Sequence, residues 1–557
     1  MGTLLKGATV ADGTGHAARR VDVRIDGDRI SAVGDLQPHD DDEVIDLDGL
    51  VLAPGVVDIH THYDAQVFWD GDLTPSSWHG VTTVLQGNCG FGIAPARPED
   101  RELIMETLQL VEGMNIDTLR QGIRWEFQTY PEYLDVIREI PKRINIAAMV
   151  PHSMLRLWVM GAEAAFSRSS TEDELEQITT LLSESLAAGA IGFSTSQAPS
   201  HQGPEGRPVP SRFADRREIV AMLEAVKAAG RDGIVEITYG PLFTIEECAD
   251  LATETGVRIT WGSVIPGLFG PPGAAQDMLD RGTSGGADLW PQTSTRFIST
   301  QMSWLNPYQW SRVPAFEEVL GRTPDEMAKS YGDPEWRTRA REQAMSLTDQ
   351  KDFLDGDIAG YFDRTSVEET DIHADLRGIP LSRLADERGV HPFDLMMDLA
   401  LEDNLQTRFR TVSPGSVEEL RALVTDRRTV LGAHDGGAHV DMLCDSCYPS
   451  FMLRYWVREQ RAMDAAEAAY RLSGQPAALF GLTDRGTIEV GKVADLIAYD
   501  ADLITELPAE RVWDFPADAD RLIARGEGLE YVWVAGTAIR ERGDIVEGAM
   551  PGQLISR

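Results

Sequence analysis

Cysteine is scarce in this chain of 557 residues, which contains only Cys89, Cys248, Cys444 and Cys447. So few thiols cannot hold a fold of this size together by disulfides, and a reducing, cytoplasmic compartment is the simpler expectation. Cys444 and Cys447 have the C-x-x-C spacing. Because no second pair and no thioredoxin-like pattern accompany them, two ordinary thiols are favoured over a redox or metal role.

Long apolar runs are also missing. No stretch reaches the roughly 18 consecutive apolar residues that a membrane-spanning helix needs, and the first residues contain no apolar signal-peptide segment. We therefore expect neither a membrane span nor secretion.

Positive charge is in short supply as well. Lysine and arginine number 51 against 90 aspartates and glutamates, a net charge of −39. This charge repels nucleic acid and anionic membranes, so we expect a small molecule as the partner. The sequence leaves a homo-oligomer open. Lysine is the rarer cation and occurs only at Lys6, Lys142, Lys227, Lys329, Lys351 and Lys492.

The most informative stretch that is present runs from Pro54 to Asp64, where an apolar segment ends in His60 and His62. Residues i and i+2 of a strand point to the same side, so two imidazoles can reach one metal ion. Such a pair also occurs in ordinary edge strands. Here, however, residues 51–58 are typical of a turn that leads into a buried parallel strand, and barrel active sites lie where such strands end. We predict a pair of metal ligands.

Between residues 54 and 478, apolar strand-like runs alternate with helical stretches, which predicts βα units around a parallel barrel. Strands are expected at 144–150, 233–238, 257–260 and 429–432. Thr171 and Glu174 have the spacing of a capping box, and the helix that they open should end at Gly189. The predicted fold class is α/β, with a TIM-like (β/α)8 barrel.

The two ends of the chain have a different pattern. Residues 1–53 and 479–557 alternate in short bursts typical of β-hairpins, and we expect them to join in one small β-sandwich. Residues 291–375 are rich in tryptophan, proline and charge, and are too long for a plain connection. We predict an inserted helical lid over the barrel mouth, with a structural extension or an oligomer contact as the alternative.

Residues 54–64 resemble the first barrel strand of the amidohydrolase superfamily. Further segments narrow this resemblance to the D-aminoacylases, also called N-acyl-D-amino-acid deacylases. These segments are Gly80–Val84, Gly87–Gly92, Gly189–Thr195, Asp435–His439, Asp484–Gly486 and Gly491–Leu496. The resemblance extends over nearly the whole chain and implies the same arrangement of a barrel and a terminal β-sandwich.

The resemblance also implies a metal-dependent hydrolase. It makes His60, His62, Cys89 and Asp435 the metal ligands and Asp435 the general base that takes a proton from the attacking water. An N-terminal cap of the following helix is the alternative for Asp435, and a buried thiol beside the site is the alternative for Cys89. Zinc is the expected ion, with another divalent metal as the alternative. The carboxylated lysine of many relatives is excluded, because residues 191–196 contain no lysine.

The chain departs from the implied pattern at two positions. The deacylases have metal-binding histidines at the ends of the fifth and sixth strands, where this chain has Tyr239 and Trp261. Neither side chain is an ordinary zinc ligand. We therefore expect a site for one ion, with Glu236 as a conceivable extra ligand, and a pocket made more apolar by the two aromatic rings.

The sequence offers several candidates for residues that contact the substrate. The candidates are His152, Arg156, Arg212, Tyr239, Trp261 and His439, with Arg296 and Arg454 as further arginines able to bind a carboxylate. For His152, a plain loop histidine is an equal alternative.

Three functions follow from these residues. The leading hypothesis is a metal-dependent hydrolase that opens an amide, cyclic amide or ester bond with a metal-activated water and Asp435 as base. A lyase, isomerase or decarboxylase on the same scaffold is the second. A catalytically inactive ligand-binding relative is the third, and the intact His60, His62 and Asp435 argue against it.

Overall fold

Eight parallel strands form the central sheet of the computed structural model, which describes residues 2–230, 233–268, 270–307, 310, 313–320, 322–346 and 358–556. Each strand pairs with the next one along the chain, and a parallel bridge between Thr61 and Gly436 brings the first and last strands together into a barrel. The strands are β1 (Val56–Asp58), β2 (Val81–Gln86), β3 (Asn145–Pro151), β4 (Gly192–Ser196), β5 (Ile234–Thr238), β6 (Arg258–Gly262), β7 (Leu289–Thr293) and β8 (Val430–Leu431).

Helices cover the outer face of the barrel. Those between β2 and β7 are α1 (Arg101–Glu112), α2 (Ile116–Gly122), α3 (Tyr130–Glu139), α4 (His152–Ala165), α5 (Glu172–Ala188), α6 (Arg216–Ala228), α7 (Ile245–Thr255) and α8 (Ala274–Thr283). The predicted start and end of α5 are confirmed, since Thr171 and Glu174 form a reciprocal capping box and Gly189 follows the last turn with φ 125°.

A separate folded segment lies between β7 and β8. Its strands are Ser299–Ser303, Thr365–Glu369 and Arg408–Val412, and its helices are Pro314–Glu317, Pro324–Gly332, Pro334–Ser346, Ile358–Asp363, Leu381–Arg388 and Pro392–Glu402. The segment has its own core, in which Trp304, Trp310 and Trp336 are buried.

The bounds of this insertion differ from the expected 291–375. Residue 291 belongs to β7, and the antiparallel three-stranded sheet of the insertion ends only at Val412. The sequence pattern placed the start too early because Pro291 and the polar residues after it break the apolar run of a true barrel strand. Of the predicted lid, residues 308, 309, 311, 312, 321 and 347–357 lie outside the described residues.

The remaining helices lead from the insertion to the last part of the chain. They are α9 (Val417–Thr425), α10 (Tyr448–Phe451), α11 (Ala465–Ala469) and α12 (Gln475–Leu479), and a π-helical stretch, Met452–Glu459, continues α10.

Strands from both ends of the chain pair with each other. Leu496–Tyr499 lies antiparallel to Val51–Pro54, so the segment that leads into β1 is held by residues more than 400 positions later. The seven-stranded sheet consists of Thr9–Val10, Arg19–Arg20, Val51–Pro54, Leu496–Tyr499, Leu529–Val534, Thr537–Glu541 and Asp544–Ile545. A four-stranded sheet of Thr3–Lys6, Asp22–Asp26, Arg29–Gly34 and Glu43–Asp46 packs beside it through one shared apolar core.

Two short hairpins complete the C-terminal part: Thr505–Glu506 pairs with Gly526–Glu527, and Glu510–Phe515 pairs with Ala519–Ile523. Among the described residues, none of the helices combines the length and the apolar character that crossing a membrane requires.

Candidate metal centre and active site

His60 and His62 lie where β1 ends, and both rings are buried. The Nδ1 atom of His60 is 2.7 Å from Oε1 of Gln292 on β7, and an amide oxygen can only accept. The Nδ1 atom of His62 lies 3.6 Å from Oε2 of Glu112, the last residue of α1. The Gln292 oxygen therefore favours a proton on Nδ1 of His60, which leaves the Nε2 lone pair of His60 directed at the centre of the site.

Cys89 follows β2 and brings its sulfur to the same place. Its Sγ atom lies 3.4 Å from Nε2 of His60, and ligand atoms of Cys89, His60 and His62 all lie within 4.8 Å of one another. Cys89 has a left-handed backbone, with φ 56°, and its N–H donates to Oε2 of Glu236 at 2.9 Å. That hydrogen bond holds the turn that aims the sulfur.

Asp435 reaches this centre from the segment that follows β8, the strand beside β1 in the closed barrel. Its Oδ1 atom lies 3.2 Å from Nε2 of His60 and 3.7 Å from Nε2 of His62. Burial would raise the pKa of Asp435, but the neighbouring imidazoles of His62 and His60 hold it well below its ordinary value. The carboxylate is therefore ionised at neutral pH, and its side chain is one-third exposed (33%), so it can touch a bound molecule.

His60, His62 and Cys89 could together hold a divalent cation, and Asp435 lies beside them. Nε2 of His62 is buried and has no hydrogen-bond partner among the described residues, and burial raises the pKa of the Cys89 thiol well above its ordinary value. A cation satisfies both groups, because it accepts the imidazole lone pair and stabilises the thiolate. Two imidazoles, one thiolate and one carboxylate form a donor set typical of zinc proteins.

The fifth strand contributes Glu236 to the floor of the site. The side chains of Glu236 and Thr238 point inward and are hydrogen-bonded, with 3.1 Å between Oγ1 and Oε1. Burial raises the pKa of Glu236 to about 7. On β6 the inward neighbour is Gly262, where an added Cβ would lie 3.3 Å from Oε1 of Glu236. The Glu236 carboxylate thus fills the space next to the end of the sixth strand.

Trp261 does not lie in this pocket. It pairs in register with Ile237, on the row that faces the helices, and its Nε1 donates to the carbonyl of Phe243 at 2.9 Å. The indole is 2% exposed and belongs to the core between the barrel and its helices. The expected replacement of a sixth-strand histidine by an indole is therefore corrected: alternation along the strand puts Gly262 at the inward position. Tyr239 follows β5, is half-buried, and has its ring 6.1 Å from that of Trp261.

His152 and Arg156, at the start of α4, lie in a buried network behind the strand ends. His152 contacts Oγ1 of Thr195 at 2.8 Å and Oε1 of Glu218 at 2.7 Å. Arg156 donates to both oxygens of Glu218 at 2.6 Å. All three charged or titratable side chains of the network are fully buried. In this arrangement they support the ends of β3 and β4 and do not reach the metal centre.

Arg212 and His439 lie nearer to the centre. Arg212 donates to the carbonyls of Pro199 and His201 at 3.2 and 3.4 Å. The N–H of His439 donates to the carbonyl of Glu112 at 2.6 Å, and burial lowers the pKa of the His439 ring to about 4.

Three residues near the centre were not identified from the sequence: Glu112, Gln292 and His201. His201 lies in the loop after β4, and burial together with His62 and His439 lowers its pKa to about 3. Gln292 could have been found from the sequence by its position near the end of a barrel strand, β7. Glu112 ends a helix and carried no signal of its own.

Comparison with known proteins identifies the family of this chain. The family model described as the amidohydrolase family matches residues 43–539. A D-aminoacylase of Alcaligenes xylosoxydans xylosoxydans is 26% identical over 557 residues, covering 100% of this chain and 97% of that protein. An N-acyl-D-aspartate deacylase of the same organism is 25% identical, covering 99% and 94%.

Among solved structures, the N-acyl-D-glutamate deacylase of Bordetella bronchiseptica, complexed with zinc and a phosphonate inhibitor, superposes with a TM-score of 0.66 at 21% identity. The match covers 100% of this chain and 99% of that one, and at this identity it supports the barrel fold. The chain belongs to the amidohydrolase family and is a metal-dependent hydrolase of carbon–nitrogen amide bonds.

Proposed function

We propose that this enzyme hydrolyses the amide bond of an N-acyl amino acid, with one Zn²⁺ held by His60, His62, Cys89 and Asp435, and with Asp435 as the general base. The observation that carries the proposal is the convergence of these donors: Asp435 Oδ1 and Cys89 Sγ lie 3.2 and 3.4 Å from the same atom, Nε2 of His60. Other divalent metals suit the same donors less well, because a thiolate favours zinc.

A zinc ion held there supplies Lewis acidity, which lowers the pKa of water and polarises a carbonyl group. The chain's own residues do the rest. Gln292 orients the His60 imidazole through Nδ1, and Glu112 lies beside Nδ1 of His62. Asp435, ionised and partly exposed, accepts a proton from the attacking water and returns it to the departing nitrogen. His439 and His201 are neutral at neutral pH and can donate a hydrogen bond to a substrate oxygen.

The substrate class rests on the relatives. Their names give N-acyl-D-aspartate and N-acyl-D-glutamate as substrates of similar proteins. An N-acyl amino acid has a free carboxylate, and we assign Arg212 to it because this guanidinium contacts the backbone of His201, whose ring lies near His62 and Asp435. Tyr239, half-buried after β5, is our candidate for contact with the acyl group, and we assign no direct role in binding to Trp261 and Arg156.

The first test is metal content per chain, measured by plasma mass spectrometry on protein purified without added metal. We expect about one equivalent of zinc, lost in the double variant His60→Ala/His62→Ala because the remaining thiolate and carboxylate hold an ion poorly. His16→Ala is the control, since this exposed histidine contacts Thr14 and is expected to leave the metal in place. Retention of zinc by the double variant would contradict the proposed ligands.

The second test is Asp435→Asn, assayed on a panel of N-acyl-D- and N-acyl-L-amino acids. We expect turnover to fall by about 10³-fold, because the amide cannot accept the proton, while zinc stays bound through the imidazoles and the thiolate. Turnover that survives the substitution would remove Asp435 as the base. Zinc-loaded wild-type protein with no activity on any amide would instead favour a non-hydrolytic reaction.

A further inference from the structure

The loop that carries Asp435 also carries Cys444 and Cys447, whose C-x-x-C spacing the metal centre does not use. Nη1 of Arg296 donates to Sγ of Cys447 at 3.0 Å, and Nε of the same arginine lies 3.3 Å from Oδ1 of Asp445. A guanidinium that donates directly to a sulfur is the environment that stabilises a thiolate.

The two cysteines lie on the same turn of the chain. The Cys447 Sγ atom is 3.2 Å from the carbonyl oxygen of Cys444. The hydrogen bond from Cys444 and the charge of Arg296 lower the pKa of Cys447 against the opposing effect of burial, while the pKa of Cys444 is raised. Cys447 also precedes the first turn of the helical segment 448–459, whose N–H groups favour negative charge. The pair is therefore asymmetric, with the lower thiol pKa at Cys447, the cysteine that Arg296 contacts.

A cavity of about 460 Å³ brings solvent to this pair. Both cysteines and Arg296 lie in its wall, as do Arg410 and Arg454. Pro508 and Ala509 line the same cavity and are exposed, so it opens at the surface. Cys447 itself is only 1% exposed, which restricts access to small molecules.

We propose that Cys444 and Cys447 form an oxidant-sensitive dithiol that reacts with small hydroperoxides entering this cavity. The Cys447 thiolate attacks the terminal peroxide oxygen, the O–O bond breaks, and the departing alkoxide or hydroxide takes a proton, giving a sulfenic acid and an alcohol or water. The Cys444 sulfur then displaces hydroxide from the Cys447 sulfur, so that an S–S bond forms and water leaves. One peroxide is reduced as two thiols are oxidised.

The disulfide acts on the segment that packs against the metal centre. Ser446 lies between the two cysteines, and a Cβ added to Gly436 would lie 3.2 Å from its Oγ and 3.3 Å from the Tyr63 hydroxyl. Gly436 is adjacent to Asp435. Closing the S–S bond shifts Ser446 and hence the Asp435 backbone, so we expect oxidation to lower turnover several-fold and a dithiol reductant to restore it.

The test is to treat the intact, metal-loaded protein with near-stoichiometric hydrogen peroxide, block remaining thiols with an alkylating reagent, and map the peptides by mass spectrometry. We expect loss of two hydrogens from the peptide that joins Cys444 and Cys447, with Cys248 still reduced. A gain of oxygen at Cys447 without a disulfide, or reaction at Cys89 or Cys248 before this pair, would overturn the proposal. Because the experiment detects a change of peptide mass, its result does not depend on whether the proposed hydrolase activity is found.

Three variants separate the roles of the residues. Cys444→Ser should stop at the sulfenic acid, trapped by a 1,3-dione reagent, and Cys447→Ser should not react at either position. Arg296→Gln should slow the reaction of Cys447 about tenfold, because the guanidinium no longer stabilises the thiolate. Cys248→Ser is the matched control and should oxidise at the same rate as the wild type. An Arg296→Gln protein that is folded and reacts at the wild-type rate would contradict the role of the arginine.

Discussion

At the scale of single residues, the metal centre depends on side chains that orient the ligands as much as on the ligands themselves. Glu236 accepts the N–H of Cys89, and Gln292 accepts Nδ1–H of His60. Each contact fixes the direction of a donor atom toward one point. Outer partners of this kind typically change metal affinity by 10- to 100-fold when they are removed.

Glu236→Ala tests this dependence. Loss of the carboxylate leaves the Cys89 N–H unpaired in a buried, left-handed turn, and we expect zinc affinity to fall by about 10- to 100-fold, measured by competition with a chromogenic chelator. Glu224→Ala is the control, because Glu224 is exposed on α6 and should leave the affinity unchanged. An unchanged zinc affinity in the Glu236 variant would show that the turn at Cys89 keeps its conformation without this hydrogen bond.

Trp261 and Gly262 test the register of the sixth strand. Trp261→Phe should cost about 2 kcal/mol of unfolding free energy, because the carbonyl of Phe243 loses its buried partner, but should leave kcat/KM within about twofold. Gly262→Ala places a methyl group 3.3 Å from the Glu236 carboxylate and should lower turnover about tenfold with little loss of stability. Urea unfolding and initial rates on both variants distinguish the two effects, and the reverse pattern would mean that Trp261 is the inward residue.

At the scale of elements, the ends of β3 and β4 are held by the buried network of His152, Arg156 and Glu218. Burial alone would raise the pKa of Glu218, but His152 and Arg156 hold it well below its ordinary value. A depressed folded-state pKa contributes stability above the unfolded pKa, about 4.3 for glutamate, and loses it as the pH falls further.

Glu218→Gln should therefore destabilise the protein by about 3 kcal/mol at pH 7, since it leaves Arg156 buried without its carboxylate partner. The difference in unfolding free energy from wild type should shrink as the pH falls below about 4, measured by urea titrations across the acid range. Turnover per folded molecule should stay within a few-fold. A difference that does not depend on pH would mean that Glu218 is not ionised in the folded state.

At the scale of the whole molecule, the terminal sheets and the barrel are joined by Asp495. Its carboxylate contacts Arg485 at 2.6 Å, Asn145 on β3 at 3.0 Å and the N–H of Ala535 at 2.7 Å. One buried side chain thus links the barrel to the strands formed by the last part of the chain.

Asp495→Ala should lower the unfolding free energy by about 3 kcal/mol, because it leaves the largely buried Arg485 without its partner. Thermal unfolding followed by circular dichroism measures the loss, and hydrogen exchange should show the terminal strands opening before the barrel. Asp500→Ala is the control, since half-buried Asp500 accepts the backbone N–H groups of Asp502 and Leu503 within one turn and pairs with no buried arginine in the described structure. Equal effects of the two substitutions would argue against a special role for Asp495.

Local pattern determined a large part of the fold. The alternation of short apolar runs with helices predicted the parallel barrel, and strands were expected within one or two residues of β3, β5 and β6. The capping box at Thr171 and the glycine at 189 determined both ends of α5. These features depend on contacts between neighbours in the chain, so the sequence alone can predict them.

The sequence alone also selected His60, His62, Cys89 and Asp435, because each residue lies beside a recognisable strand end or motif. Tertiary structure decided what such patterns cannot: that Trp261 faces the helices and Gly262 the centre, that Arg156 is bound to Glu218, and that Glu112 lies behind His62. The direction of a side chain depends on where its strand starts in the sheet, and its partners come from positions far away in the chain. Those are properties of the closed barrel, so they follow only once all eight strands have met.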